Sequence, residues 1–191
     1  MAMNWGIELL RLSLFSDDTL KVADADLESL FGKSEEYTLQ NRPGGWRYDG
    51  QLLGGVFTLA AAGTRTDLLL SLRSPPEQPG GPSELKLPII GPWNTLREEF
   101  VSVTSKWLAE RKSRILRIAF GGVLLLPTKD RLEGYSLLKT LLTSVNVIPD
   151  EMRDLLFRIN WPVESAVIKG LILNRLTSWN SVQLSQIVRL S

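Results

Sequence analysis

The hydrophobic pattern of the first 73 residues predicts a small module in which strands predominate. Residues 7–15 carry apolar side chains on both faces of an extended chain, which is typical of a buried strand. A short helix is expected over residues 26–31, where Gly32 ends it. Three further strands are expected over residues 35–40, 51–62 and 66–73. The predicted order of this module is therefore β-α-β-β-β.

Two amphipathic helices are predicted in the second half of the chain. The first carries one apolar stripe at helical offsets, and the spacing of Thr95 and Glu98 indicates an N-terminal capping box. The stripe consists of Leu96, Phe100, Val103 and Trp107. A second helix is expected over residues 130–144. Its inward-facing side chains are Leu132, Tyr135, Leu138 and Leu142.

Strands complete the second half, and a proline-rich segment separates it from the first. Extended patterns are found over residues 114–126, 155–161, 171–177 and 182–190. Residues 74–92 hold six of the ten prolines, which predicts a linker without regular structure. We expect an α+β protein of two antiparallel sheet-and-helix modules, 1–73 and 93–191, joined by this linker. Whether the modules are structural duplicates stays open.

The chain has no cysteine and no histidine, and this excludes several kinds of chemistry. Disulfides, thiol nucleophiles and zinc-thiolate sites require cysteine, and a Ser-His-Asp triad or a His-ligated metal requires histidine. We therefore expect a protein without enzymatic activity, metal or cofactor. No apolar run approaches the ~18 residues of a membrane-spanning helix, and no secretory signal opens the chain, so a cytoplasmic location is expected.

The formal charge of +1 argues against a nucleic-acid-binding surface that covers the whole protein. Residues 1–91 carry 8 basic and 12 acidic groups, and the remainder is net positive. Local contacts with nucleic acid stay open on two segments that hold basic and aromatic side chains. The candidate residues are Arg47 and Tyr48 in the first segment and Arg111, Lys112, Arg114 and Arg117 in the second.

Six tryptophans are many for 191 residues. The periodicity predicts core positions for Trp107 and Trp161. The other four are candidates for partner-binding anchors, because tryptophan is enriched in the centres of protein interfaces. They are Trp5, Trp46, Trp93 and Trp179. Sheet edges also invite the addition of a strand from a partner.

One metal-nuclease pattern occurs around the proline-rich segment. Asp67 opens a predicted strand, and Glu84 and Lys86 follow as a Glu-x-Lys motif. Such an arrangement holds Mg²⁺ and places a lysine beside the attacking water in many nucleases. A solvated pair of linker charges explains Glu84 and Lys86 more simply.

The motifs RIAFGGVLLLP, EGY, INWP and NRLTSW, in this order over residues 117–179, resemble those of a family of sporadically distributed bacterial proteins. The resemblance covers the C-terminal half and Arg65-Thr66-Asp67. It implies an accessory part of a mobile or antiviral defence system, and it transfers no catalytic residue. In these motifs Asn160, Asn174 and Arg175 are predicted to form a structural polar network, with Glu133 as a counter-charge for Arg175.

These observations favour a non-catalytic accessory or scaffolding subunit that docks onto a larger protein assembly. One alternative is a nucleic-acid-contacting subunit of a ribonucleoprotein or a DNA-bound complex. The other is a Mg²⁺-dependent nuclease that uses Asp67, Glu84 and Lys86.

Overall fold

The computed structural model describes residues 3–20, 22, 24–31, 38–42, 44–72 and 87–182. These contain nine strands and three helices. The first strands and helix are β1 Gly6–Ser16, α1 Asp24–Phe31, β2 Thr38–Arg42, β3 Gly45–Leu52, β4 Gly55–Ala62 and β5 Arg65–Ser71. They are followed by β6 Gly91–Pro92, α2 Trp93–Ala109, β7 Ile115–Leu125, α3 Arg131–Leu141, β8 Leu156–Glu164 and β9 Ile172–Asn180. The predicted α+β class with antiparallel sheets is confirmed.

The described chain divides into two compact units, and the division falls after residue 126. The first unit holds β1 to β7 with α1 and α2, and the second holds α3, β8 and β9. This differs from the predicted modules, which separate at residues 74–92. The physical reason is that β7 returns to the first sheet and pairs with β1 along its whole length. Glu84, Lys86 and most of the predicted linker lie outside the described residues.

The sheet of the first unit is antiparallel and has the order β2-β3-β4-β5-β1-β7, with the short β6 paired to the start of β1. Alternate side chains of its strands point to the two faces. Leu10, Leu12 and Leu14 of β1 point to the face on which the core lies, which we call the helix face. The other face, which begins with Arg11 and Ser13 of β1, is called the open face.

A tight turn splits the strand that the sequence predicts over residues 51–62. Leu53 and Gly54 both have positive φ, 54° and 76°, and join β3 to β4. Such a pair is the geometry of a two-residue hairpin turn whose twist matches that of the strands. Leucine is unusual at positive φ, so the apolar run conceals the turn.

Helix α2 provides much of the core of the first unit. Leu96, Phe100 and Trp107 are buried, which confirms the predicted apolar stripe. The predicted capping box is wrong, because the helix begins at Trp93 with Pro92 as its N-cap and has no side-chain cap. Phe100 contacts Phe57 of β4, with ring centroids 5.9 Å apart, and so joins the helix to the sheet.

The second unit has a smaller core around α3. Tyr135 and Leu138 of this helix are buried with Leu142 and Val147, whereas Leu132 is exposed, contrary to its predicted inward position. Asp130 caps the helix by accepting a hydrogen bond from the Glu133 backbone N–H.

β8 and β9 form a two-stranded antiparallel ribbon in the second unit. Beyond Val182, the predicted strand over residues 182–190 lies outside the described residues. No helix in the part of the chain that the structure describes is long and apolar enough to cross a membrane.

Candidate interaction surfaces

Strand β7 combines apolar, exposed side chains with an edge that no other described strand covers. Ile118 and Phe120 lie opposite Leu14 and Leu12 of β1 and therefore share the helix face. The Phe120 ring is 6.2 Å from that of Phe100, yet Ile118 is 53% and Phe120 46% exposed. The exposed apolar side chains of this strand, called the β7 edge below, are Leu116, Ile118, Phe120 and Val123.

Among the described strands, β7 pairs with β1 alone. Within the described residues, no strand pairs with the backbone groups on its other side, and such groups can pair with another strand. Native sheets commonly protect such an edge with lysine, proline or inward-pointing charge. β7 has no lysine or proline, and Arg117 is its single charged residue. The strand is therefore suited to accept a further strand.

The open face of the sheet carries a network centred on Asp67. This carboxylate accepts hydrogen bonds from Arg11 at 3.1 and 2.8 Å, from Ser13 Oγ at 2.5 Å and from Arg65 Nε at 3.2 Å. Its two oxygens are thus occupied by guanidinium and hydroxyl groups, and a metal ion would have to displace them. Among the described residues no group of three or more His, Cys, Asp or Glu side chains is arranged to hold a metal.

A second network on the open face is centred on Asp49 of β3. Arg47 Nε donates to its two oxygens at 3.0 and 2.7 Å, and Thr58 Oγ1 donates to Oδ1. The hydrogen bond to Asp49 raises the pKa of the Arg47 guanidinium above its ordinary value. In both networks the arginine and carboxylate charges are paired with each other, so less of this charge on the open face is available to a ligand.

The residues predicted to contact nucleic acid do not form one surface. Arg47 lies on the open face, whereas Tyr48 points to the opposite face, where its ring is 5.4 Å from that of Trp46. Arg111 lies 4.6 Å above the Trp107 ring, donates to the Trp107 carbonyl at 3.1 Å and is almost fully covered. This cation therefore stabilises the end of α2.

The remaining predicted cations lie near β7. Lys112, Arg114 and Arg117 are exposed. The Arg117 guanidinium is 5.2 Å from the ring of Phe15, and the Arg114 carbonyl accepts a hydrogen bond from the backbone N–H of Asp17 at 3.4 Å. The acidic residues Asp17 and Asp18 thus follow β1 close to this basic segment, which lowers its net positive charge.

The four tryptophans predicted as partner anchors are all partly buried. Trp46 and Trp93 pack against the core of the first unit, and Trp179 packs against the core of the second. The Trp5 carbonyl accepts a hydrogen bond from the Trp93 backbone N–H at 2.9 Å. Trp46, Trp93 and Trp179 therefore use part of their side-chain surface within their own unit.

Of the two tryptophans predicted to be core residues, one is buried and the other is exposed. Trp107 is 1% exposed, which confirms its predicted position. The prediction for Trp161 is wrong, because its side chain is 61% exposed on β8. Alternation along a strand identifies a shared face, but it does not show that another layer covers that face.

Trp161 belongs to the face of the β8–β9 ribbon that also contacts the core of the second unit. Phe157 and Trp179 lie opposite each other at one end of this face and pack against the core. Ile159, Trp161 and Val163 follow along β8, and Leu173 lies opposite Val163. In the other half of this face Trp161 and Leu173 are exposed, as are Val167 and Ile168 in the connection between the strands.

The predicted polar network is dispersed over the same ribbon. Asn160, Asn174 and Arg175 are exposed, and no side-chain hydrogen bond joins them in the part of the chain that the structure describes. Arg175 lies opposite Trp161. Its predicted counter-charge, Glu133, accepts a hydrogen bond from the Lys129 backbone N–H at 2.6 Å. Arg175 is therefore placed to present its charge beside an exposed tryptophan.

Comparison with models of protein families and with curated protein sequences finds no match to this chain. Function is therefore inferred from the interaction surfaces.

Proposed function

We propose that this protein is a non-catalytic accessory subunit that docks onto a larger protein assembly through its β8–β9 ribbon. The observation that supports the proposal is Trp161, 61% exposed within a row of apolar side chains. Buried tryptophans are among the residues that contribute most to the stability of protein interfaces.

The apolar face of the ribbon is only partly covered by its own unit. A two-stranded ribbon is marginally stable in water unless its apolar face packs against something. Phe157 and Trp179 receive such packing, whereas Trp161 and Leu173 remain exposed. A partner that covers this half would add to the contacts of the ribbon and bury a central aromatic side chain.

The charges of the ribbon indicate what kind of partner surface fits it. Arg158, Lys169 and Arg175 are basic, and Glu164 is the single acidic residue over residues 156–180. The Glu164 carboxylate also accepts a hydrogen bond from the Gly170 backbone N–H at 3.0 Å. Complementarity therefore favours a protein with an apolar groove for Trp161 and carboxylates at its rim, near Arg175.

The first experiment recovers the tagged full chain from cells of the source organism and compares Trp161→Ala with Leu156→Ala. Leu156 is exposed on the other face of the same ribbon and is the matched control. We expect one protein at stoichiometric amount that survives a wash in high salt, is retained by Leu156→Ala and is lost by Trp161→Ala.

Binding of that protein in purified form provides the quantitative test. We expect Trp161→Ala to weaken the affinity about 30-fold or more, the effect of a central interface residue, and Leu156→Ala to change it less than about 3-fold. Equal effects of the two variants would contradict the proposed face. Recovery of nucleic acid that is released by salt would instead support the alternative of a nucleic-acid-contacting subunit.

A further inference from the structure

We propose that two copies of this chain form a homodimer through the β7 edge. In this arrangement the two β7 strands pair antiparallel across a two-fold axis at Phe120, so that the two sheets become one. The proposal concerns the first unit and is independent of the partner surface on the β8–β9 ribbon.

The regular part of β7 is centred on Phe120. The register between β1 and β7 shifts between Phe15 and Ser16 at one end and between Ile7 and Leu9 at the other. Between these irregularities, Arg117 to Val123 pair with β1 without interruption. A two-fold axis at Phe120 uses this whole segment, since it has three residues on each side of the axis.

The helix face of such a pair is complementary to itself. Ile118 would lie opposite Gly122 of the second copy, and the two Phe120 side chains would be neighbours across the axis. A branched side chain would thus meet a residue without a side chain, and an aromatic pair across adjacent strands is stabilising. Phe100 of α2 packs against Phe120, and their ring centroids are 6.2 Å apart.

The open face of the same pair brings no like charges together. Arg117 would lie opposite Val123 of the second copy, and Ala119 opposite Gly121. A Cβ atom built on Gly121 meets nothing within 4 Å, so this position has room for the neighbouring side chain. A parallel pairing in register would instead place each Arg117 beside its own copy, which is unfavourable. The position of the single charge on β7 therefore favours the antiparallel, symmetric arrangement.

The absence of cysteine from the chain allows a direct test by disulfide cross-linking. Directly opposed residues of an antiparallel pair have Cα atoms about 4.5–5.5 Å apart, within the range of a disulfide. We expect the unmodified chain to sediment with about twice the 21.4 kDa mass of one copy. We further expect Phe120→Cys to form an intermolecular disulfide under mild oxidation.

Two controls define the register and the edge. Ile118→Cys should not cross-link, because its two copies would lie about 14 Å apart along the strands. Leu39→Cys, on the exposed strand β2 at the other edge of the sheet, should not cross-link either. A mixture of Ala119→Cys with Gly121→Cys should form the mixed disulfide, and this keeps the test valid if Phe120→Cys is poorly folded.

A mass of one copy for the unmodified chain at concentrations up to ~100 μM would overturn the proposal. So would a dimer that cross-links through Leu39→Cys, or through none of the β7 positions.

Discussion

The two edges of the main sheet differ in length, polarity and exposed apolar surface. β2 has five residues, TLQNR, and Leu39 is its single exposed apolar side chain. β7 has 11 residues, four exposed apolar side chains and one charge. A short polar strand is a common way to protect a sheet edge against pairing. Among the described strands, one edge of the sheet therefore has this protection and the other lacks it.

Removal of the Phe100 side chain, which packs against Phe120 of β7, should have the largest effect on stability. Phe100 is fully buried between Phe57 and Phe120. We expect Phe100→Ala to lower the free energy of unfolding by about 3–5 kcal/mol, because a large core side chain leaves a cavity. Urea unfolding measures this change. Val101→Ala, at the neighbouring exposed position, should cost less than about 0.5 kcal/mol, and equal costs would contradict the role of Phe100.

A positive charge on each edge tests the functional difference between them. Ile118→Lys places a cation beside Gly122 of the second copy in the proposed dimer, whereas Leu39→Lys places it on an edge that is already polar. We expect Ile118→Lys to raise the dissociation constant of the dimer at least 10-fold and Leu39→Lys to change it less than 2-fold. Sedimentation over a range of concentrations gives both values. A similar loss for both variants would indicate general instability instead.

Two arginines pair with Asp67 in its network on the open face. Asp67 pairs with Arg11 and Arg65, and Asp49 pairs with Arg47. We expect Asp67→Asn to lower the free energy of unfolding by about 1–2 kcal/mol, since it leaves two neighbouring cations without a counter-charge. Thermal unfolding at low and high salt measures this cost, and an unchanged stability of Asp67→Asn would contradict the role of this carboxylate.

Local periodicity predicts several elements of the fold but not how they pair. The stripe of α2, the approximate extent of β7 and the helix α3 follow from side chains that are close in sequence. The pairing of β7 with β1 joins residues about a hundred positions apart, and no local pattern encodes it. The domain boundary at residues 74–92 was predicted from prolines and glycines, so it could not include this return of the chain.

The types of interaction surface could be predicted from the sequence, but their positions in the fold could not. Sheet edges and tryptophans were expected to bind partners, yet the tryptophan with the clearest exposure is Trp161, for which periodicity predicts a core position. The signal that was available is the run of β7, whose side chains are apolar on both faces. Such a run is compatible with a central strand as well as with an edge strand that pairs with a partner, and only the topology separates the two.

The smallest predicted effect compares glycines at the two edges. Gly121 lies in β7, and Gly44 lies in the turn between β2 and β3; a Cβ atom on either meets nothing within 4 Å. They differ in backbone conformation, because Gly44 has a φ of 75° and Gly121 is not in this region. We expect Gly121→Ala to raise the free energy of unfolding by about 0.4–1 kcal/mol, since alanine restricts the unfolded chain without strain. Gly44→Ala should lower it by about 1 kcal/mol, because alanine disfavours positive φ. Urea unfolding of the two variants side by side measures the contrast, and a loss of stability in Gly121→Ala would contradict the expectation that alanine fits this position without strain.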